Sequence, residues 1–285
     1  LERHSEQDKV RLEESDLPVI EPVEYGEIRY FRMARRYFGR LLYTTGVFWV
    51  DGLLFDSGPP NISREFARLS RELAIRLSVT THHHEDHVGN HATLRRMGIP
   101  LFAHSTAIPR LAHPPERLHL YRRLAWGTPE AALAQPLGPE IATRQLRFQV
   151  IHTPGHAEDH VALFEPNRGW LFTGDLYLGP YLRYLRADED VYALMDSLRR
   201  LLTLDFREIY CQHRGQVEDG RRMLARKLAF LEELAGRVLA LHQEGFSEAA
   251  IAGKLFSGDR FWRFFTGGHF SRRNFVRAFL KKKAA

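Results

Sequence analysis

The chain has 285 residues, 44% of them apolar, with a mean hydropathy of -0.35; this suits a globular protein with a sizeable buried core. No apolar run approaches the ~18 residues that span a bilayer, and the charged opening Leu1-Glu2-Arg3-His4-Ser5 lacks the apolar core of a signal peptide. The formal charge is +6, but residues 221–285 hold 14 Lys/Arg against 5 Asp/Glu, a net of +9, so residues 1–220 net -3. Such a tail suits a solvated helix face or an anionic partner such as nucleic acid. The single Cys211 cannot form an internal disulfide, which leads to the expectation of a cytoplasmic location.

Residues 1–20 read as a peripheral charged segment. Strand-like runs at Ile28-Arg29-Tyr30-Phe31 and Leu41-Leu42-Tyr43-Thr44 come with turns expected near Gly39 and Gly46. Val47–Val50 and Leu53–Phe55 flank Asp51-Gly52, a hairpin signal, and Asp56-Ser57-Gly58 ends the second run. Ile62, Phe66 and Leu69 have helical spacing, with Ser63 placed to cap the helix. Leu77–Thr80 reads as a buried strand, Val88–Met97 as a short helix stopped by Gly98, and Ile99–Ala103 as a further strand. This alternation predicts a layered α/β fold.

Between that strand and that helix lies Thr81-His82-His83-His84-Glu85-Asp86-His87, with four imidazoles and two carboxylates in six consecutive residues. Such a donor set suits zinc, iron or manganese. His82 and His84 point the same way from an extended backbone, while His83 and Glu85 alternate away from them. Asp86 and His87, at the helix start, face a second position.

Residues 104–140 carry Pro109, Pro114, Pro115, Pro129, Pro136 and Pro139 and read as a helical insertion, either walling a cavity or covering a sheet edge. Their His104, His113 and His119 lack ligand spacing. Leu146–Ile151 is a strand running into His152-Thr153-Pro154-Gly155-His156. Val161–Phe164 and Gly169–Phe172 read as a hairpin-like pair ended by Thr173-Gly174-Asp175. Tyr177–Asp190 reads as a loop, Asp190–Leu202 as an amphipathic helix, and Phe206–Cys211 as the last core strand, delivering His213. Beyond Gly220, Leu224, Leu228, Leu231, Leu234, Val238 and Leu241 mark a long amphipathic helix. Ser247 and Ser271 are placed to cap two more, through Leu255 and Leu280, with the aromatic cluster Phe261–Phe265 between them.

Thr81 to Gly89 contains His-x-His-x-Asp-His and resembles the metallo-β-lactamase fold superfamily, in spelling its glyoxalase II members especially. Thr153-Pro154-Gly155-His156 is similar to that family's next ligand turn, and Thr173-Gly174-Asp175 to its bridging aspartate. Where many members have Gly-His after the last strand, this chain has Gln212-His213, a small departure. The resemblance covers roughly residues 25–215 and implies an αββα four-layer sandwich. It implies that His82, His84 and His156 hold one metal, that Asp86, His87 and His213 hold a second, and that Asp175 bridges them. Asp86 would also be catalytic, as a proton acceptor, and Asp56 would support the metal loop. Two divalent ions, zinc or else iron or manganese, would share a hydroxide.

The implied activity is hydrolysis of a small ester, thioester or lactone. Tyr181, Arg183 and Tyr184, in the loop that follows Asp175, are the expected substrate-binding residues, since guanidinium and phenol groups there can hold an anionic substrate. A phosphodiesterase or ribonuclease, favoured by the basic tail, and an iron oxidoreductase of the same fold are the alternatives. The expected organisation is a catalytic domain at 1–220, including the segment 1–20 and the insertion 104–140, then a basic helical extension at 221–285. The expected partner is a small-molecule substrate, with no membrane; the sequence leaves the oligomeric state open.

Overall fold

The computed structural model describes residues 19–37, 40–258 and 260–281. Residues 1–18 of the expected peripheral segment, and the turn expected at Gly39, lie outside the described residues. Strands β1 (Val19–Tyr25), β2 (Ile28–Tyr37), β3 (Arg40–Val50), β4 (Leu53–Phe55), β5 (Leu77–Val79), β6 (Leu101–Ala103) and β7 (Gln135–Pro136) form one sheet in chain order. It is antiparallel up to β4 and parallel from β4 to β7. The Asp51-Gly52 hairpin turn appears as expected, both residues having positive φ (44° and 84°). Gly46 makes no turn. It lies within β3 opposite Arg32, and a Cβ there would fall 2.3 Å from Tyr30 Cε2. The glycine makes room for a ring on the neighbouring strand.

The second sheet has the order β14-β13-β11-β10-β9-β8, where β8 is Glu140–Ala142, β9 Arg147–His152, β10 Val161–Glu165, β11 Trp170–Phe172, β13 Glu208–Cys211 and β14 Gly215–Val217. The strand read as the last is therefore followed by one more, reached through a tight turn. A two-residue strand β12 (Leu185–Arg186) within the expected 177–190 loop pairs with β15 (Phe270–Ser271). Strands this short carry no readable alternation. The pairing is set from outside the strands: Asn274 Nδ2 donates to the carbonyls of Leu185 (2.9 Å) and His269 (3.0 Å).

Strand alternation divides the apolar residues between three layers of core. Ile28, Tyr30, Phe48, Leu53 and Phe55 of the first sheet meet Phe148, Val161, Leu163, Phe172 and Tyr210 of the second. At the centre Phe55 stacks on Phe172, ring centroids 4.0 Å apart and 11° from parallel. On the first sheet's other face Phe31, Met33, Val47 and Leu54 meet α1 (Ser63–Glu72) and α3 (His91–Arg96). Ala162, Phe164, Leu171, Ile209 and Cys211 meet α6 (Val191–Leu202), α7 (Gly220–Gln243), α8 (Glu248–Leu255) and α10 (Arg273–Leu280) on the second sheet's outer face. The fold is the αββα sandwich, and the C-terminal helices build its fourth layer together with α6.

Two local expectations change. Ser63 begins α1 instead of capping it, and its hydroxyl donates to the Pro60 carbonyl at 2.6 Å. The helix expected over Val88–Met97 is divided into α2 (Glu85–Val88) and α3. Gly89 presses against the preceding loop, where a Cβ would lie 2.2 Å from Pro60 N. Asn90 Nδ2 donates to the carbonyls of Ser57 (2.7 Å) and Pro59 (3.0 Å), so the loop replaces the next helical turn. Ser247 does cap α8, accepting from Ala250 N. Ser271 accepts from Arg273 N at the start of α10. The insertion carries α4 (Ile108–Ala112) and α5 (Leu120–Ala125), and the aromatic cluster becomes α9 (Arg260–Phe265). Among the described residues no helix is long and apolar enough to cross a membrane.

Candidate metal centre

Loops at the same ends of the two sheets deliver the candidate ligands. His82 to His84 leave β5 extended, and α2 begins at Glu85, which places Asp86 and His87 in a first helical turn. His156 follows β9 through Gly155, whose φ is 135° and where a Cβ would lie 2.4 Å from Leu194 Cα. Only glycine lets this turn lie flat on α6. Asp175 sits in a 3-10 turn after β11, and His213 at the tip of the β13–β14 hairpin.

The seven side chains converge in two groups, His82–His84–His156 and Asp86–His87–Asp175–His213, with donor atoms of each group within 4.8 Å of one another. Asp175 spans both: its Oδ2 is 3.4 Å from His156 Nε2, and its Oδ1 is 3.3 Å from both His87 Nε2 and His213 Nε2. Asp86 Oδ2 lies 3.3 Å from His213 Nε2.

Each of four rings is held from behind. Nδ1 of His87 meets Asp56 Oδ2 (2.8 Å), that of His156 Glu189 Oε1 (2.7 Å), that of His213 the Thr44 carbonyl (2.7 Å), and that of His82 Thr81 Oγ1 (3.0 Å). With Nδ1 donating, the Nε2 lone pair is aimed at the centre, as metal-binding imidazoles require. His84 is turned the other way, its Nδ1 3.1 Å from His156 Nε2. Buried Nε2 of His82 and His87 and Oδ1 of Asp175 have no hydrogen-bond partner. Orphaned lone pairs at this separation repel one another, and cations between them remove the conflict. The residues therefore fit divalent metal ions.

Electrostatics separate the two groups. Burial, reinforced by neighbouring cationic groups, holds His82 and His84 well below the ordinary imidazole range. Burial would also lower His87 and His213, but the carboxylates of Asp175 and Asp86 outweigh it and raise both well above that range. Burial would raise Asp175, and His213 and His87 outweigh it, keeping the carboxyl well below its usual range. Burial thus favours neutral imidazoles at His82 and His84, whereas the second group alternates imidazole with carboxylate.

Asp56 underlies both ligand loops. It is fully buried, in left-handed backbone (φ 64°). It accepts from Thr81 N (2.7 Å), Thr81 Oγ1 (2.9 Å), His87 Nδ1 (2.8 Å) and Gln212 Nε2 (2.7 Å). Gln212, the residue at which the sequence departs from the resemblance, is thus one of its donors. His83 and Glu85 turn away as expected, His83 to Asp159 (2.7 Å) and Glu85 to Arg122 (2.6 Å). His152 supports its turn through Glu158 O (2.8 Å).

A cavity of about 200 Å³ opens onto Asp86, His156, Asp175 and His213. The insertion walls it with Tyr121, Arg122 and Trp126, while β7 joins the sheet edge. Tyr184 lines it, but Tyr181 and Arg183 do not: both are exposed, and the Tyr181 hydroxyl accepts from Arg226 (2.6 Å). The β12–β15 pairing buries Leu185 and Arg186 and leaves the residues before them at the surface. Of the arginines in this loop, Arg186 is the one that reaches the cavity. Asp188 grips it through two bonds (2.9 and 2.6 Å), and its NH1 stands 3.1 Å from His84 Nδ1.

The sequence reading did not find Glu189 behind His156, His160, whose Nε2 accepts from Asp175 N (3.1 Å), or Lys227. Lys227 alone left a signal: it occupies the 3–4 spaced stripe of Leu224, Leu231 and Leu234 on α7.

The chain is similar to known proteins. The Drosophila melanogaster protein named "Beta-lactamase-like protein 2 homolog" is 28% identical over 179 residues, 59% of this chain and 56% of its own. A hydroxyacylglutathione hydrolase of Legionella pneumophila is 28% identical over 109 residues, 37% of this chain and 35% of its own. The chain thus spans between a third and just over half the length of these relatives. A beta-lactamase domain protein from Burkholderia ambifaria shares the fold, with a TM-score of 0.68 at 17% identity over 91% of this chain and 88% of its own. The metallo-beta-lactamase superfamily pattern matches residues 50–213, from the end of β3 to the last candidate ligand. With that match over more than half its length, the chain belongs to the metallo-beta-lactamase superfamily.

Proposed function

We propose that the protein is a dinuclear metal-dependent hydrolase of a small ester, thioester or lactone. The observation that carries this reading is the convergence of seven candidate ligand side chains in two adjoining groups, five of them at the wall of an open cavity. His82, His84 and His156 would hold one ion, Asp86, His87 and His213 the other, and Asp175 both; zinc suits the sets, as do iron and manganese. Divalent ions held by these residues would supply Lewis acidity for activating water at neutral pH and for the carbonyl to be attacked. Asp86 borders the cavity and lies beside His213, placed to accept a proton from the attacking water. Tyr184 and Arg186 stand where a substrate lies against the ligands, and a guanidinium and a phenol both donate to developing negative charge. The kinship with a hydroxyacylglutathione hydrolase supports ester or thioester chemistry. In this reading residues 1–220 form the catalytic unit and residues 221–285 add the helices that complete its cavity.

The test is a panel of small esters, thioesters, lactones and a phosphodiester, assayed with metal-loaded protein. Turnover of an acyl substrate that stops with chelator and returns with zinc, iron or manganese is expected. Cleavage of the phosphodiester alone, or of nothing in the panel, overturns the proposal.

A further inference from the structure

Lys227 stands in the cavity wall without a part in the metal centre. It is 1% exposed. Its ammonium donates to the carbonyls of Leu176 and Tyr177, the residues directly after Asp175, at 2.5 and 2.8 Å. It forms no ion pair with any carboxylate of the described residues. The other cations of the cavity are each paired, Arg122 with Glu85 and Arg186 with Asp188. The nearby carboxylates are engaged elsewhere. Glu189 holds His156 with one oxygen and accepts from Arg186 N with the other, and Asp175 belongs to the ligand cluster. An ammonium has three N–H donors, and two are used. The third has no acceptor among the described residues, yet the group lines an open cavity. Burial draws its pKa down to about 8, with Glu189 foremost among the charges that oppose this. A buried cation without a counter-ion is strongly unfavourable, and an anion entering the cavity removes that penalty.

We infer that Lys227 recognises a carboxylate carried by the substrate, away from the bond that is cut. The inference rests on the hydrolase reading and narrows it: the substrate is an ester, thioester or lactone whose acyl part bears a second, ionised carboxyl group. The acid product is then a dicarboxylate, one end at the metal centre and the other at Lys227. The rival role for Lys227 is structural, since its two carbonyl bonds also tie α7 to the turn that presents Asp175.

Dicarboxylates test this without turnover. The metal-loaded full chain is titrated calorimetrically with succinate, glutarate and adipate, and with butanoate, pentanoate and hexanoate as partners of equal length. At least one dicarboxylate should bind roughly ten-fold or more tightly than its monocarboxylate partner, as a charge-assisted hydrogen bond implies. Lys227→Gln keeps a donor for the two carbonyls and removes the charge; it should abolish the preference at unchanged metal content. Lys227→Met should do the same. No preference in the wild-type protein, or a preference that survives either variant, overturns the inference. A failed hydrolase reading shows separately, as absence of turnover across the ester panel.

Discussion

Replacing Asp56 by Asn tests whether the metal loops depend on one buried carboxylate. Asn has nearly the same shape and tolerates the left-handed backbone at this position (φ 64°), so the change isolates chemistry from strain. All four neighbours of Asp56 act as donors to it: Thr81 N to Oδ1, and Thr81 Oγ1, His87 Nδ1 and Gln212 Nε2 to Oδ2. Whichever way the new amide turns, its NH2 group faces donors. In the cheaper orientation it meets Thr81 N and sacrifices that bond. Losing one charge-assisted bond and weakening three others in a fully buried site should destabilise the protein by ~2–4 kcal/mol. Once His87 is no longer held by a carboxylate, metal affinity should fall ~10–100-fold. The assays are urea denaturation of the chelated protein and metal competition against a chromophoric chelator. Unchanged denaturation midpoint and unchanged metal affinity would refute the reasoning.

Other substitutions read other parts of the site. Asp86→Ala should lower occupancy of the Asp86–His87–His213 position and leave the fold intact, measured as metal content per chain and by circular dichroism; lowered occupancy with unchanged hydrolysis argues for a one-metal mechanism, and full occupancy removes Asp86 as a ligand. Arg186→Ala should raise KM or lower kcat at constant metal content, whereas Arg183→Ala, at an exposed residue, should leave both unchanged. The pH dependence of stability has a separate source in His91, buried behind the ligand loop with a pKa drawn down to about 3 from 6.5 by burial, then by His87. The native state keeps His91 neutral while the unfolded chain takes up a proton below about 6.5, so stability falls as the pH drops from there towards about 3. In acid denaturation His91→Leu should show a flatter fall over that window; an unchanged slope removes His91 as the cause.

The metal centre was legible because ligation constrains residue type and spacing together. His82, His84, Asp86 and His87 lie within one loop, and each of the other three follows a readable strand. The sandwich was legible for a related reason: alternation such as Ile28/Tyr30 against Phe31/Met33 assigns each strand two packed faces. What escaped depends on contacts distant in sequence. Arg186 and Arg183 look alike in the chain, and only the pairing of β12 with the distant β15, in the register Leu185↔Ser271, decides which one enters the cavity. Glu189 is one of several acidic residues beside Arg186, and its role appears only where the turn after β9 brings His156 to it. Gly46 misled because a glycine that yields space to Tyr30 has the same letter as one that bends the chain.

Metal counting joined to anomalous diffraction addresses the dinuclear site itself. Purified protein, loaded and then desalted, should carry two ions per chain by mass spectrometry. Crystals measured at the metal's absorption edge should show one peak among His82, His84 and His156 and a second among Asp86, His87 and His213, with Asp175 touching both. A single ion per chain, or peaks away from these side chains, would contradict the dinuclear hydrolase.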